Sequence, residues 1–509
     1  MGSLEVQTLE PASYYRFRDE LDEAGFATSD GGRTWTGPIA EPFRAFTDGE
    51  QMTVHIRDGW PYRHPELEVP GMEPLAHVNA WDYVCLWAQG DASQAWRTLA
   101  GWQARIEEWC KKQATEFSNE DATMDAHAYF GTEPFYALAT LDLGTLNPKL
   151  KDGDSGEAFG RWRRHEALLE ITTERTSGGK VRGTWFYRER IKAPPTNLDR
   201  LGALLTMSQA ARLEKLTAGV ARDKKKQRRF IVLAWGRGKG RNALVVLFDQ
   251  VAGSQARGRV LEFAPSDTET LRLRAGERAS ALNERRALVF GAGSVGSHVA
   301  LLLSESGLGS LTVVDGERLR PGNVVRHAAP ASLVGAPKVE AVASVIDGHA
   351  PWTAVEQRKE SPWNPERLRQ LIQGQDLVVD ATGNASFAEQ LSVLTAIEGA
   401  ILVTASLYRR GYLARVQRQG PGDTLLVERD DPDKYPTIPR GPVEELQQEP
   451  GCSAPVNQAS PRAVVACASL AAELVVDTLG ARSLPDEITE IYHPLEEAPF
   501  DRIGRLASG

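Results

Sequence analysis

The tightest constraint on this chain is the stretch from Ala287 to Arg326, where the apolar run ALVF breaks into GAGSVG, an apolar helical pattern follows, and a second run, LTVV, stops at Asp315. That order forms a nucleotide-binding βαβ unit, because glycines let a phosphate approach the free N–H groups at a helix N-terminus. Gly291, Gly293 and Gly296 fit G-x-G-x-x-G, and Asp315, 24 residues after Gly291, is placed to accept hydrogen bonds from ribose hydroxyls. A dehydrogenase satisfies this fingerprint equally. The residues that follow shift the reading: Asn323, Arg326, Lys338 and Asp380 fall at the ends of successive predicted elements. Two cations and an acid suit ATP, since Arg and Lys neutralise phosphates and a carboxylate at a strand tip holds Mg²⁺. Hydride transfer needs no such cluster.

At 509 residues the chain exceeds one hydrophobic core, so several domains are expected. Its formal net charge of −9 argues against a broad nucleic-acid footprint and leaves small molecules and proteins as partners. Residues 1–30 hold no basic segment ahead of an apolar one, and no apolar run reaches bilayer length, which predicts a cytoplasmic protein without membrane insertion. Cys85, Cys110, Cys452 and Cys467 are too few and scattered for a disulfide framework and include no C-x-x-C pair.

Three regions are expected. In residues 1–125, a strand at Met52–Ile56 runs into a loop stiffened by prolines 61, 65 and 70. His77, Asn79 and Cys85 then share one irregular segment before a helix. That helix carries the stripe Trp96, Leu99, Trp102, Ile106 and Trp109, with Asp91 and Gln94 read as a capping box. Cys110 beside the stripe reads as core, whereas Cys85 reads either as an accessible thiol able to attack or carry a group, or as a structural cysteine. Residues 126–270 read as an α/β region, with strands in GTWFYRERI, RFIVLAW and NALVVLFDQV and a helix in LGALLTMSQAARLEKLTAGVA. GRGKGR at 236–241 lacks the Ser or Thr of a phosphate loop and reads as a basic hairpin turn; KKKQRR at 224–229 reads as a solvated helix end. In residues 271–509, strands are expected around Ile401–Thr404, Tyr412–Val416 and Thr424–Val427. A Pro-rich charged loop then leads to Cys452 and a helix burying Val464, Cys467, Ala471 and Leu474. Cys467 is therefore core, and Cys452, at a loop end, reads as an acyl acceptor or a loop thiol without a role.

Two resemblances sharpen this. GWPYRHPEL, then H-x-N, then CL and a Trp-bearing helix, over residues 12–120, resembles the catalytic core of ubiquitin-conjugating enzymes, particularly bacterial ones. The resemblance implies that Cys85 carries a ubiquitin-like protein as a thioester and that Asn79 supports the oxyanion formed when an amine attacks. Val78 stands where the family has Pro, and the Asn-to-Cys interval is shorter than usual. The order G-x-G-x-x-G, Asp, N-x-x-R, Pro-Lys and an Asp before T-x-N, over residues 272–480, closely resembles the adenylation domain of ubiquitin-activating enzymes and the ThiF and MoeB sulphur-carrier activators. It implies ATP and Mg²⁺, with Asp315 on the ribose, Asn323, Arg326 and Lys338 on the triphosphate, and Asp380 on the metal. It also implies that Cys452, in a context similar to C-T-x-x-x-P, takes the acyl group, and that Arg274 reaches a partner subunit's site in a homodimer. Glu317 replaces a second Asp, and the zinc-binding cysteine pairs of many members are missing.

The expected fold class is α/β: a Rossmann-like ThiF-type domain at the C-terminus, an α+β ubiquitin-conjugating-like domain at the N-terminus, and a middle region that is a linker or an inactive adenylation-like domain. Such fusions resemble those of bacterial antiphage operons, implying as partners a ubiquitin-like protein, or the C-terminal tail of a cGAMP-synthase-like nucleotidyltransferase, and a target lysine. The rival readings are a sulphur-carrier adenylyltransferase with an accessory binding domain and an inactive nucleotide-binding scaffold.

Overall fold

The computed structural model describes residues 6–508 except 73–74, 88–90, 116, 118–124, 132–134, 147–148, 176–180, 224–226, 238–239, 252–254, 430–434 and 437–457. Cys452 and part of KKKQRR and GRGKGR lie outside the described residues. The chain divides into two units, Met1–Asp267 and Thr268–Gly509. Among the described residues, no helix is long and apolar enough to cross a membrane.

The first unit begins with an antiparallel sheet in chain order: Ala27–Thr28, Thr34–Pro38, Gln51–His55, Glu66–Glu68 and Tyr83–Val84. Alternation buries Met52 and Val54 on one face, and helices Pro11–Glu23 and Leu99–Thr115 supply Phe17, Leu21, Trp102, Ile106 and Trp109 to the same core. Asp91 and Gln94 form no capping box. Asp91 accepts from Ser93 N at 2.9 Å, Gln94 turns left-handed at φ 46°, and the helix starts at Leu99, whose N–H is taken by Glu20 Oε2 at 2.6 Å. The stripe therefore begins in a 3₁₀ turn, Ala95–Arg97, that buries Trp96.

The three strands expected in the middle region join four others in a closed barrel. Arg229–Arg237, Gly240–Val251, Gln255–Pro265, Phe135–Leu141, Leu168–Thr172, Ser155–Arg163 and Val181–Arg188 form a barrel in that spatial order. Arg237 pairs with Gly240, so GRGKGR spans a hairpin as expected. The expected helix is two, Leu198–Leu204 and Met207–Arg222, divided at Thr206, which forms a capping box with Gln209. Gln209 Nε2 also donates to Asp154 O and Tyr187 O, tying this helix to the barrel.

The second unit is an eight-stranded sheet. Ala354–Arg358, Ser310–Val314, Arg286–Phe290, Leu377–Asp380 and Ile401–Tyr408 run parallel, and Leu413–Gln419, Glu487–Ile491 and Gly504–Ser508 continue it antiparallel. Near-continuous apolar strands demand cover on both faces. Ala287 and Val289 meet the helices Ser294–Glu305, Lys338–His349 and Pro461–Thr478, whereas Leu288 and Phe290 meet Pro365–Ile372 and Ala385–Glu398. Cys467 is fully buried in the first of these cores. The strand expected at Thr424–Val427 is instead a 3₁₀ turn, Leu426–Glu428, because Gln419 Oε1 and Ser392 Oγ take the Leu426 N–H that a sheet ladder would need.

Arg418, only 2% exposed, locks the last strands to the final helix, donating to Asp486 Oδ1 at 2.7 and 2.9 Å, Leu484 O at 2.6 Å and Asp477 Oδ2 at 3.1 Å. Burial pushes the Asp477 carboxyl up, but hydrogen bonds from Ser483, Leu484 and Arg418 outweigh it and bring it down to about 2. Arg418→Met should therefore destabilise the second unit by about 3–5 kcal/mol, because it leaves the buried Asp477 carboxylate without its close cation. The check is the urea midpoint of that unit's transition, and an unchanged midpoint would contradict it.

Candidate functional site

Strand order reverses between Arg286–Phe290 and Leu377–Asp380, and ligands bind open parallel sheets at the carboxyl ends flanking such a switch. Phe290 and Asp380 are register partners there, so the glycine turn and Asp380 emerge side by side. Gly291 has φ 87°, a left-handed conformation costly for other residues. A Cβ on Gly296 would lie 1.8 Å from Gly291 O, so only glycine lets the helix start that close. Gly293 caps this helix without a side-chain bond, leaving its first N–H groups for an anion. Asp315 accepts from Ala292 N and Glu317 N, each at 2.8 Å, and so holds the loop.

The following residues take distinct places. Asn323 Oδ1 accepts from Arg320 N at 3.0 Å within the 3₁₀ turn Pro321–Arg326, which it shapes. Arg326 donates to Ala459 O at 3.2 Å and lines the cavity beside Gly293. Lys338, 7% exposed at the start of its helix, pairs with Glu317, and that ammonium holds the Glu317 carboxyl below its usual range. Asp380 is buried and accepts on Oδ1 from Thr382 N at 3.0 Å and Thr382 Oγ1 at 2.7 Å, yet desolvation pushes it up to about 6. Both bonds fall on one oxygen. Arg274 is exposed after the short helix Thr268–Arg272, and neither it nor Asp315, Asn323, Lys338 or Asp380 is among the residues lining the cavity, which Gly293 and Arg326 do line.

A cavity of about 730 Å³ opens from the glycine turn across the switch point. Its far side brings residues that sequence reasoning missed. Ile401–Tyr408 and Leu413–Gln419 continue past the level of Asp380 and bring Arg415 and Arg409 to the cavity there, while Gln417, level with Asp380, and Arg429, which donates to Arg418 O, line it lower down. Arg415 makes a bidentate pair with Glu487 at 2.8 and 3.0 Å, and Gln417 donates to the same carboxylate at 2.9 Å. His327 was also missed. One ring nitrogen lies 2.8 Å from Ala292 O, and the other accepts from Ala329 N at 3.0 Å, so the ring is a neutral prop under the glycine loop that burial keeps from protonating. Only its place beside Arg326 pointed to it.

In the first unit, Cys85 and Asn79 line one pocket of about 390 Å³ with His64, Glu66, Trp81 and Trp87. They meet because residues 79–83 make a tight reversal: Asn79 N donates to Tyr83 O at 3.1 Å, and Cys85 N to His77 O at 2.8 Å. Asn79 Oδ1 accepts from Trp81 N at 2.9 Å and Tyr83 N at 3.1 Å, bonds that engage only its oxygen. Burial pushes the Cys85 thiol up, and the Arg105 guanidinium partly opposes it. Cys110 is half-buried, packs on the tryptophan core, and burial lifts it to about 11.

Comparison with known proteins bears on the second unit. Over 195 residues, 35% of this chain, the sequence is 29% identical to "Uncharacterized protein y4oA" of Sinorhizobium fredii. It is 30% identical over 138 residues, 27% of the chain, to "SAMP-activating enzyme E1" of Haloferax volcanii. It is also 29% identical over 118 residues, 23% of the chain, to "ATP-dependent ubiquitin transferase-like protein Cap2" of Enterobacter hormaechei. These matches take in 33%, 51% and 20% of the relatives' own lengths. Residues 268–492 match the ThiF family, so the second unit carries a ThiF domain.

Proposed function

We propose that this protein uses ATP to adenylate the C-terminal carboxylate of a ubiquitin-like protein, or of another protein tail, and passes the acyl group through two thiols to a target lysine. The observation that carries this is the meeting at one sheet end of a glycine-built helix N-terminus with buried Asp380, where Arg326 lines the cavity that opens there. The residues fit ATP and Mg²⁺. The uncapped N–H groups and two cations suit a triphosphate, and Asp380 keeps one oxygen clear of Thr382 for a cation. Among the described residues, no three His, Cys, Asp or Glu side chains gather as a cage, so Asp380 would hold an ion otherwise ligated by phosphate and water. When bound, that ion supplies positive charge to the departing pyrophosphate.

The chain's own residues do the rest. Asp315 and Asn323 orient the nucleotide, while Arg326 and Lys338 stabilise charge as the substrate carboxylate bonds to the α-phosphorus and the bond to pyrophosphate breaks; Lys338 exchanges Glu317 for phosphate. The Cys452 thiolate adds to the acyl carbon and AMP leaves with the bonding electrons. The Cys85 thiol then takes the acyl group and releases Cys452. Finally a lysine amine attacks, Asn79 supports the oxyanion, the Cys85 thiolate leaves, and the amine loses a proton. Arg274 is assigned to the site of a second copy in a homodimer. A place in antiphage defence rests on the resemblance to fused activating and conjugating enzymes.

With ATP, Mg²⁺ and a candidate ubiquitin-like protein, the wild type should exchange pyrophosphate and form adducts that a reductant removes. Cys85→Ala should keep the exchange and lose only the adduct on that thiol. An unchanged adduct pattern in the double variant Cys85→Ala, Cys452→Ala would end the relay, and activity needing a sulphur donor but indifferent to Cys85 would favour sulphur-carrier activation.

Asp380 provides a second test. Its folded pKa of about 6 lies above the unfolded value, so the folded unit binds more protons between about pH 4 and 6, and stability falls as pH rises through that window. Asp380→Asn, which can still accept from Thr382, should stabilise the second unit at pH 7 by up to about 3 kcal/mol and give no gain near pH 4. The same substitution should slow pyrophosphate exchange by about a hundredfold or more. Thermal melts across pH and exchange assays check both, and full activity in this variant would remove Asp380 from the reaction.

A further inference from the structure

Resting on the proposed transfer to a lysine, we infer that His64 is the base that takes the proton from the incoming amine at Cys85. His64 lines the pocket that holds Cys85 and Asn79. Its place follows from the strand pairing, in which Glu68 stands opposite Tyr83 and Leu67 opposite Val84. Burial alternates along both segments: Pro65, Leu67 and Val69 are buried, as are Val84 and Leu86, whereas His64, Glu66, Glu68, Tyr83 and Cys85 are half-buried. Side chains two apart share a face of an extended segment, so His64 and Glu66 leave on the face that carries Cys85. Carried on from that pairing, Glu66 falls opposite Cys85 and His64 one diagonal step from it, about 7–8 Å away. That gap admits an amine nitrogen bonded to the thioester carbon.

The ring is set for this task. Nδ1 lies 3.1 Å from Pro65 O, and a carbonyl only accepts, so Nδ1 carries the proton of the neutral ring and Nε2 keeps the lone pair. Among the described residues, Nε2 has no hydrogen-bond partner. Trp96, itself 3% exposed, braces the ring edge-on with 5.9 Å between centroids. Glu66, directly opposite Cys85, is already engaged, since its Oε2 accepts from Arg57 at 2.6 Å and its Oε1 faces Arg63 at 3.6 Å. The other titratable groups around the ring are Tyr83 and Cys85 on the paired segment and Asp91, whose carboxyl is held low by hydrogen bonds from Ser93, with Arg105 and the imidazole adding to them.

The protons then balance. The lysine nitrogen bonds to the thioester carbon, and the carbonyl electrons move to the oxygen that Asn79 is proposed to support. Nε2 takes the proton that the nitrogen can no longer hold. The oxyanion re-forms the carbonyl, and the C–S bond breaks with its electron pair on Sγ. Burial pushes the Cys85 thiol up, so the departing sulphur is a reluctant thiolate, and the imidazolium returns the proton to it. The products are an isopeptide bond, a Cys85 thiol and a neutral His64.

The test uses the full chain and bypasses ATP and Cys452. Cys85 is acylated by exchange with the mercaptoethanesulfonate thioester of Nα-acetyl-glycylglycine, with Cys85→Ala as the background. The loaded protein is chased with Nα-acetyl-lysine amide while intact mass reports loss of the acyl group, and rates are taken per loaded thiol. His64→Ala should slow the chase about a hundredfold, and 4-methylimidazole in solution should restore much of it. The ratio of wild-type to variant rates, in which the lysine's own titration cancels, should climb between about pH 5 and 8, where imidazoles lose their proton. An unchanged rate, a ratio flat across that range, or a loss that 4-methylimidazole does not repair would overturn the base, as would a Cys85 that takes no acyl group. ATP-driven adducts on Cys85 with a chase indifferent to His64 leave the relay standing and the base refuted. A His64-dependent chase with no ATP-driven adduct on Cys85 leaves the base standing and refutes the relay.

Discussion

The packing of Gly296 against the Gly291 carbonyl is the contact on which the second unit's chemistry depends. A side chain at position 296 would push the helix away from the strand by more than an ångström, since even a Cβ would sit 1.8 Å from that oxygen. With it absent, the helix N-terminus falls at the sheet end where Asp380 also emerges. Distant segments then fix the loop: Asp315 holds the Ala292 N–H and His327 holds the Ala292 carbonyl. Both polar groups of one peptide unit's flanks are thereby satisfied from outside the loop, which leaves the helix N–H groups as the unspent donors.

The same end of the sheet carries a burial penalty that packing alone would not retain. Asp380 is 3% exposed, and its two hydrogen bonds from Thr382 do not offset the loss of water. Asp477 shows the alternative outcome in the same unit: there Ser483, Leu484 and Arg418 supply enough donors to hold a buried carboxyl low. The two acids differ in the number of donors around them rather than in burial. A carboxylate left short of donors at a switch point suits the cation-holding role proposed for Asp380, and Asp477 lacks that feature.

What the sequence disclosed follows how local each signal is. The glycine turn, Asp315, Asn323, Arg326, Lys338 and Asp380 were legible because each sits at the end of an apolar run or in a short spaced motif. Arg409, Arg415 and Arg429 were not, because they reach one cavity wall only when an antiparallel pair overtops the parallel strands and the turn at Leu426–Glu428 folds back beside it. The barrel was hidden similarly: three of its seven strands were visible, but Phe135–Leu141, Ser155–Arg163, Leu168–Thr172 and Gln255–Pro265 were not, and the place of Phe135–Leu141 between Gln255–Pro265 and Leu168–Thr172 is a pairing no local pattern encodes. The misread capping box has the same cause, since the donor at Leu99 is satisfied by Glu20 from another helix.

The proposed relay asks of Cys85 a chemistry that its burial constrains. A thiol pushed up by burial, with only Arg105 opposing, is a poor free-standing nucleophile and resists oxidation. In thioester exchange that is no handicap, because the reaction consumes one thiol and returns another. The thiolate displaced from the donor can accept the proton that Cys85 gives up, so the net step moves no charge out of the pair. The next step is different: an incoming amine must lose a proton that no returning thiolate is obliged to take until the C–S bond breaks. In the proposed relay, support for the oxyanion before that moment matters most, and Asn79, which lines the same pocket as Cys85, is the residue proposed to give it.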